Sequence, residues 1–218
     1  MKRLIYSFSL LMIFAAPGIF AQDYNSNEES KIEYIINLGV FEPGNDYDDI
    51  NFSNGVGLNI GVLAERKLNS SFNLGIHLGY AGTKGTGISH TWGEGFDYNV
   101  AIFDLTLQAR FKLANGKIMD EMSAIKPYVI AGFGGAMISN YGLSNFEGEF
   151  DNFFASPKIN AGIGLEYEIN PVLCIGLQIE AITFFNDKID GHSPDIEANK
   201  SNDLYGAFSE TIRIKLGR

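Results

Sequence analysis

The sequence predicts an all-β protein, an eight-stranded antiparallel up-and-down β-barrel that spans a membrane with its strands. Three observations lead to this prediction. Strand-length segments alternate between apolar and polar side chains at every second position. The connections between these segments alternate between short turns and long polar loops. Finally, no stretch after residue 21 approaches the ~18 uninterrupted apolar residues that a spanning helix needs.

The alternation is clearest in the hairpin from Lys158 to Ala181. Its odd positions are apolar from Ile159 to Tyr167 and from Leu173 to Ala181, whereas its even positions carry Lys, Asn, Glu, Gln and Gly, with Cys174 as the exception. Asn170-Pro171 between the two runs is a tight-turn signal. We therefore predict two strands with one apolar face and one polar, glycine-rich face.

Six further segments complete the count of eight strands. Four of them alternate as clearly as the hairpin does, and they lie near 32–40, 56–67, 72–83 and 98–113. The run from Lys126 to Ser139 is apolar on both faces, so its orientation stays open. The last strand is expected from about Asp203 to Leu216.

A soluble barrel would show the same period, but two features favour a membrane. The polar faces carry both signs of charge among glycines, which suits a crowded interior. Aromatic residues stand at the ends of the apolar faces, as in the two girdles of a transmembrane barrel. One expected rim contains Tyr34, Phe72, Phe111 and Tyr167, and the other contains Tyr80 and Phe185.

The connections differ between the two ends of the predicted barrel. Short turns are expected at 69–71 and 170–171, and long polar loops at about 42–54, 84–97, 140–155 and 186–202. This asymmetry is typical of the periplasmic and extracellular ends of an outer-membrane barrel. The exception is the link at 114–125 on the short-turn side, where IMDEM predicts a helical turn.

The first residues have the features of a secretory signal peptide. Lys2 and Arg3 precede a short apolar run that ends in the small residue Ala21. We expect a signal peptide at 1–21, an N-terminal periplasmic segment at 22–30 and the outer-membrane β-barrel at 31–218.

Composition and motifs argue against several functions. Without residues 1–21, 26 acidic and 14 basic residues remain, so the chain has no electrostatic footprint for nucleic acid. The single cysteine, Cys174, excludes an internal disulfide. Ser89-His90 and His192-Ser193 lack a carboxylate at a spacing that argues for a catalytic triad. We expect no enzyme activity, no cofactor and no metal.

Two segments carry a family resemblance. KPYVIAGFGGAMIS and INAGIGLEYEINPVLCIGLQIEA resemble the strands of small outer-membrane protein A-like barrels, and NDKIDGHSPDIEANKSNDLYGAFSETIRIKLG resembles the final loop and strand of Bacteroidota-type members. The resemblance implies the cell outer membrane and no peptidoglycan-binding domain. It names no substrate, since such barrels include adhesins, tethering modules and small pores.

Charged residues on the polar faces are expected to line the lumen. We predict a lumen charge network of Glu65, Asp104, Arg110, Glu166, Glu180 and Arg213. Counting from the strand ends places Glu65, Arg110, Glu166 and Arg213 at one depth near the periplasmic rim. Because arginine pairs strongly with carboxylates, the preferred interpretation is a plug. A narrow, gated ion path through the same residues is the alternative.

One residue does not fit the alternation. Glu210 falls on the apolar face of the last strand. A bulge near Gly206 would turn it inward, and without the bulge it would face lipid or a partner protein.

The long loops are acidic, with 13 acidic residues against three basic ones. The expected partners are outer-membrane lipids and an extracellular or envelope protein that contacts the loops at 42–54, 140–155 and 186–202. Divalent cations are a further candidate, although no stretch matches the twelve-residue calcium loop. The expected role is therefore structural or adhesive. A small porin-like channel comes second, a lipid-modifying enzyme third and a soluble ligand-binding barrel fourth.

Overall fold

The computed structural model describes residues 32–44, 56–88, 95–120, 122–144, 148–185 and 204–215. They form eight strands: β1 (Ile32–Gly44), β2 (Gly57–Lys67), β3 (Phe72–Ile88), β4 (Gly95–Lys112), β5 (Ile125–Ser144), β6 (Gly148–Asn170), β7 (Leu173–Phe184) and β8 (Leu204–Lys215). The predicted signal peptide and the segment at 22–30 lie outside the described residues.

The strands form a closed antiparallel barrel in sequence order, which confirms the predicted fold class. β1 pairs with β8, so the sheet has no free edge. We start at Glu33 and move from each residue to its paired residue on the next strand. After all eight strands the path returns to β1 at Pro43, which is ten residues beyond Glu33. Such a stagger tilts the strands and fixes which inward side chains share a level.

The predicted apolar faces point outward. Exposed side chains include Leu58, Phe103, Ile163 and Ile179, and Ile163 has 61% of its surface exposed. Because many inward positions on the same strands are polar and buried, the barrel is apolar outside and polar in a large part of its interior, unlike a soluble barrel. The described part of the chain contains no helix long and apolar enough to cross a membrane.

The structure decides the orientation of the run from 126 to 139. Tyr128, Ile130, Ala136 and Ile138 are buried and face inward, whereas Val129, Phe133 and Met137 are exposed. Both faces of this segment are apolar. Its outward face contacts lipid, and the extracellular part of its inward face packs against other apolar side chains inside the barrel.

The predicted rim aromatics lie on the outer surface, and three of them, Phe72, Phe111 and Tyr80, take part in ring pairs across neighbouring strands. The Phe72 and Phe111 rings are 4.9 Å apart at one rim, and the Tyr80 and Phe103 rings are 4.7 Å apart toward the other. Such tilted pairs are favoured by the ring quadrupole.

No helix forms in the described residues of the link between β4 and β5, where a single turn is closed by the Ser123 N–H donating to the Asp120 carbonyl at 3.1 Å. Asn115 Oδ1 accepts hydrogen bonds from the N–H groups of Lys117 and Ile118 at 2.9 and 3.0 Å, and Asn115 Nδ2 donates to the Lys112 carbonyl. Gly116 has φ 77°, a left-handed conformation that glycine adopts readily. An Asn side chain that bonds the local backbone competes with helix formation.

Two of the predicted long loops are largely strand. β3 and β4 stay paired from Phe72 and Phe111 to Ile88 and Gly95, and β5 and β6 stay paired to Ser144 and Gly148. The expected loops at 84–97 and 140–155 are therefore shorter, because the ladder continues to satisfy backbone N–H and C=O groups. Most of the expected loops at 42–54 and 186–202 lies outside the described residues.

β8 contains no bulge at Gly206. Its register is continuous with β1 from Leu204 to Lys215 and with β7 from Leu204 to Ile214. Glu210 is exposed on the outer surface, so the bulge that would have turned it inward is excluded.

Candidate functional site

The candidate site is the interior of the barrel, where charged residues of five strands meet near the periplasmic end. We call the group formed by Glu33, Glu65, Arg110, Glu166 and Arg213 the basal charge cluster. Its members come from β1, β2, β4, β6 and β8 and are almost fully buried.

Arg110 joins β2 to β6 across the lumen. Its Nε lies 3.1 Å from Glu65 Oε2, and its Nη1 lies 2.7 Å from Glu166 Oε1. Its side chain is 1% exposed. Because strands that are not neighbours in the sheet are joined through one guanidinium, the cluster spans the cross-section of the barrel.

Arg213 contacts three carboxylates. Its Nη1 lies 2.7 Å from Glu33 Oε2 and 3.4 Å from Glu65 Oε1, and its Nη2 lies 2.8 Å from Glu166 Oε1. Three carboxylates thus share two guanidinium groups. Burial of charge is unfavourable, so these groups depend on one another for stability.

Asn73 supplies a further donor to the basal charge cluster. Its Nδ2 donates to Glu65 Oε1 at 2.6 Å and to Glu33 Oε2 at 3.4 Å. The excess carboxylate charge is therefore met partly by neutral hydrogen bonds.

Asp104 belongs to a second group nearer the centre of the barrel. Its Oδ1 lies 2.6 Å from Lys158 Nζ and 3.3 Å from His77 Nδ1, and it accepts a hydrogen bond from Thr106 Oγ1 at 3.1 Å. Asp104 is thus paired with a lysine, whereas the sequence suggested a network with the arginines.

Glu180 takes part in a chain of hydrogen bonds. It accepts from Asn160 Nδ2 at 2.7 Å and from Gln178 Nε2. Gln178 Oε1 in turn accepts from the Tyr128 hydroxyl at 2.9 Å, and the Tyr128 ring lies 3.9 Å from the Arg110 guanidinium carbon. Glu180 is therefore linked to the basal charge cluster through two side chains.

Apolar residues fill most of the extracellular half of the interior. We call this group the apolar lumen cluster: Phe41, Ala81, Val100, Ile102, Ala136, Ile138, Ile182, Phe184, Tyr205 and Ala207, with Phe154 packed against it. Tyr205 stacks on Phe41 at 5.0 Å and meets Phe184 edge-on at 5.3 Å. Along β4 the layers follow in order, with Arg110 in the basal charge cluster, Asp104 at the centre and Ile102 in the apolar lumen cluster.

Inward glycines let polar side chains reach across a strand. Tyr128 of β5 lies over Gly164 of β6 to reach Gln178 of β7, and a Cβ added at Gly164 would overlap the Tyr128 ring. His77 lies beside Gly61 and Gly79 in the same way. Glycine is required here for close approach, which explains why the polar faces are rich in it.

Sequence reasoning missed parts of this interior. Lys158, Glu33 and His77 stood on polar faces but were not assigned to the network, and pairing them required the register between strands. The apolar lumen cluster was missed altogether, although segments that are apolar on both faces were its signal, as at 126–139. No group of three or more His, Cys, Asp or Glu residues that could hold a metal occurs in the described part of the chain.

The geometry defines the class of protein. A closed eight-stranded barrel with an apolar outer surface, aromatic rims and buried charges inside is an outer-membrane β-barrel. Residues 35–210 match the family model described as a domain of unknown function (DUF6089), and the chain belongs to this family.

Solved structures show the same fold. Neisserial surface protein A (NspA) aligns with a TM-score of 0.54 at 14% identity, covering 85% of this chain and 97% of that one. A major outer membrane protein from Thermus thermophilus aligns with a TM-score of 0.52 at 14% identity, covering 85% and 99% of the two chains. No curated protein matches the sequence.

Proposed function

We propose that this protein is a non-conducting outer-membrane barrel with a structural or adhesive role, exerted through its extracellular end. The observation that carries the proposal is the pair of Arg110 and Arg213, which tie carboxylates from β1, β2 and β6 together across the lumen. An eight-stranded barrel has an interior just wide enough for side chains to fill.

The basal charge cluster would act as the first part of a plug. An ion that passed it would have to displace guanidinium–carboxylate contacts of 2.7 to 3.4 Å, in which both partners are buried. The proposed lumen charge network thus has two parts, the basal charge cluster and the Asp104–Lys158 pair, with Glu180 attached through Gln178 and Tyr128.

The apolar lumen cluster would act as the second part of the plug. Phe41, Phe184 and Tyr205 pack ring against ring in the extracellular half. A hydrated ion that entered from outside would meet mostly apolar side chains there, with Thr83, Asn140 and the Tyr205 hydroxyl as polar groups among the described residues, so it would have to lose water with little compensation.

If the lumen is plugged and conducts nothing, the protein must act through the surface at its extracellular end. The β5–β6 hairpin has strands of 20 and 23 residues, and Tyr141 and Phe153 on it are 50% and 62% exposed. Exposed aromatic side chains are typical of protein contact surfaces. We propose that this hairpin and the acidic segments at 42–54 and 186–202 contact an extracellular or envelope protein, and that the chain is a Bacteroidota-type barrel without enzyme activity.

A small channel is the second candidate function. It is favoured by the polar side chains that continue from Glu180 through Gln178 and Tyr128 to Arg110. Such a chain would offer hydrogen-bond partners to an ion or a small solute along half of the lumen.

Single-channel recording in a planar bilayer tests the choice between the two. The mature protein, refolded in detergent and inserted, should remain electrically silent. Steady current steps that change in Arg110→Ala or Arg213→Ala would refute the plug and support the channel.

An adherence assay tests the proposed contact surface. Cells that display the double variant Tyr141→Ser/Phe153→Ser should adhere several-fold less to immobilised extracellular-matrix proteins than cells with the parent protein. Met122→Ser is the matched control, because Met122 is 90% exposed but lies at the other end of the barrel. Equal adherence of the parent and the double variant would count against this surface.

A further inference from the structure

Glu210 lies on the lipid-facing surface of the barrel and is surrounded by apolar side chains. It pairs in register with Leu38 of β1 and Leu177 of β7, both of which are exposed. Its remaining neighbours on this face are also exposed and apolar: Ile36, Val40, Ile175, Ile179, Phe208 and Ile212. Lipid chains offer no hydrogen bond to a carboxyl group, so this position is unfavourable in an isolated barrel.

The carboxyl group cannot be satisfied within the described part of the chain. Glu210 has no hydrogen-bond or ion-pair partner among the described residues, and the continuous register of β8 prevents it from turning inward. Its partner on β1, Leu38, lies four residues from the rim residue Tyr34, about 13 Å along the strand. That separation is too long for the side chain to reach the rim.

Glu210 is also the only charged residue at a described outward position between the two aromatic rims. Two outward basic residues lie outside this zone. Arg66 lies at the periplasmic rim, and Lys84 lies beyond Tyr80 toward the other end of the barrel. At the depth of Glu210, a second copy of this chain can therefore offer only its own Glu210 as a charged partner.

We propose that the outer face of β8 is the interface of a two-fold symmetric homodimer in which the two Glu210 carboxyl groups pair with each other. Two-fold dimers are the commonest oligomers, and a residue near their axis meets its own copy. A protonated carboxyl both donates and accepts a hydrogen bond, so it can pair with itself, whereas lysine and arginine only donate. Glutamate is thus an ionisable residue that suits a two-fold axis in lipid.

Small side chains on the same outer face, four residues from Glu210 along β8, leave room for a second barrel to approach. Gly206 points outward on β8, four residues before Glu210, and a Cβ added there would meet no atom within 4 Å. The residues that follow in register across β7 and β6 are Ala181 and Ala161, both exposed. Small residues at membrane interfaces permit the close packing that drives association where no hydrophobic effect operates.

Disulfide cross-linking in liposomes tests the proposal. In a Cys174→Ser background, Ile212→Cys places one thiol next to Glu210, and Leu107→Cys places one on β4 at a similarly exposed position away from β8. Under mild oxidation at low protein density, Ile212→Cys should form several-fold more dimer than Leu107→Cys. Equal yields would overturn the proposal.

A change at Glu210 itself tests the role of the carboxyl group. Adding Glu210→Leu to Ile212→Cys should reduce the cross-linked dimer to the level of Leu107→Cys. Glu210→Gln should retain much of the dimer, because an amide also donates and accepts. If Glu210→Leu does not fold, Glu210→Ala serves the same comparison. An unchanged yield in the folded variant would refute the homodimer. The same cross-linking of Ile212→Cys in native outer membranes should give an adduct of twice the mass of the chain, and an adduct of any other mass would also refute it.

Discussion

Removal of one guanidinium from the basal charge cluster should strongly destabilise the barrel. In Arg213→Met, Glu33 loses its 2.7 Å partner and Glu166 loses a 2.8 Å partner, which leaves three buried carboxylates with Arg110 as the one guanidinium of the cluster. Breaking a buried ion pair from one side typically costs about 3–5 kcal/mol, because the remaining charge stays buried without compensation. We expect a decrease of that size in the free energy of unfolding.

Urea titration in lipid vesicles measures this decrease, with the folded fraction read from the gel shift of unheated samples. Lys126→Met is the matched control, because Lys126 pairs with Glu168 at the rim, where both side chains are about a quarter exposed. Such partly exposed pairs contribute about 0–1 kcal/mol. A difference of less than about 1 kcal/mol between Arg213→Met and the parent protein would refute the reasoning.

A charge-balanced variant separates loss of packing from loss of charge. Arg213→Met/Glu33→Gln removes one charge of each sign, so it should recover part of the loss. The coupling between two such contacting residues is typically about 0.5–3 kcal/mol. If the double variant is as unstable as the sum of the two single variants, the pair is not coupled and the electrostatic argument is wrong.

Three further predictions concern other parts of the barrel, and each uses the same urea titration. Gly164→Ala should lower stability by about 1–3 kcal/mol, because the new Cβ overlaps the ring above it. Its control is Gly135→Ala, which should be nearly neutral because the new Cβ would meet only one atom, at 3.9 Å. Phe184→Ala should lower stability by about 3–5 kcal/mol, because Phe184 is 1% exposed in the apolar lumen cluster; a loss below about 1 kcal/mol would show that the cluster is loosely packed. Glu210→Leu should raise the stability of the monomer at low protein density, by less than the roughly 2–4 kcal/mol known for lipid-facing Arg or Lys. A fall in stability would contradict the lipid-facing position of Glu210.

The outer surface of the barrel was predictable from the sequence alone. Side chains of a strand alternate with a period of two, and lipid demands an apolar outer face along each strand. For this reason the alternation is sufficient to assign the residues from Ile159 to Tyr167 and from Phe103 to Leu107 to their faces. Counting from strand ends also placed Glu65, Arg110, Glu166 and Arg213 at one depth, since each strand starts near a common rim.

The interior was decided by the tertiary structure. Which inward side chains meet depends on the ten-residue stagger of the closed barrel, and no single strand encodes that stagger. The pairing of Asp104 with Lys158 follows from it. The apolar lumen cluster likewise exists because inward apolar residues from six of the eight strands converge, although each of them broke the pattern of its own strand.

Glu210 shows the same difference between what local periodicity predicts and what contacts between strands decide. Its place on the apolar face was visible in the sequence, but the choice between a bulge and a lipid-facing carboxyl required the register of β8 with both neighbours. The sequence by itself determined the barrel, its two faces and its strand number, because these follow from local periodicity. Closure of the sheet decided which charges pair, what fills the lumen and which carboxyl group is left facing lipid, because these depend on contacts between strands distant in the chain.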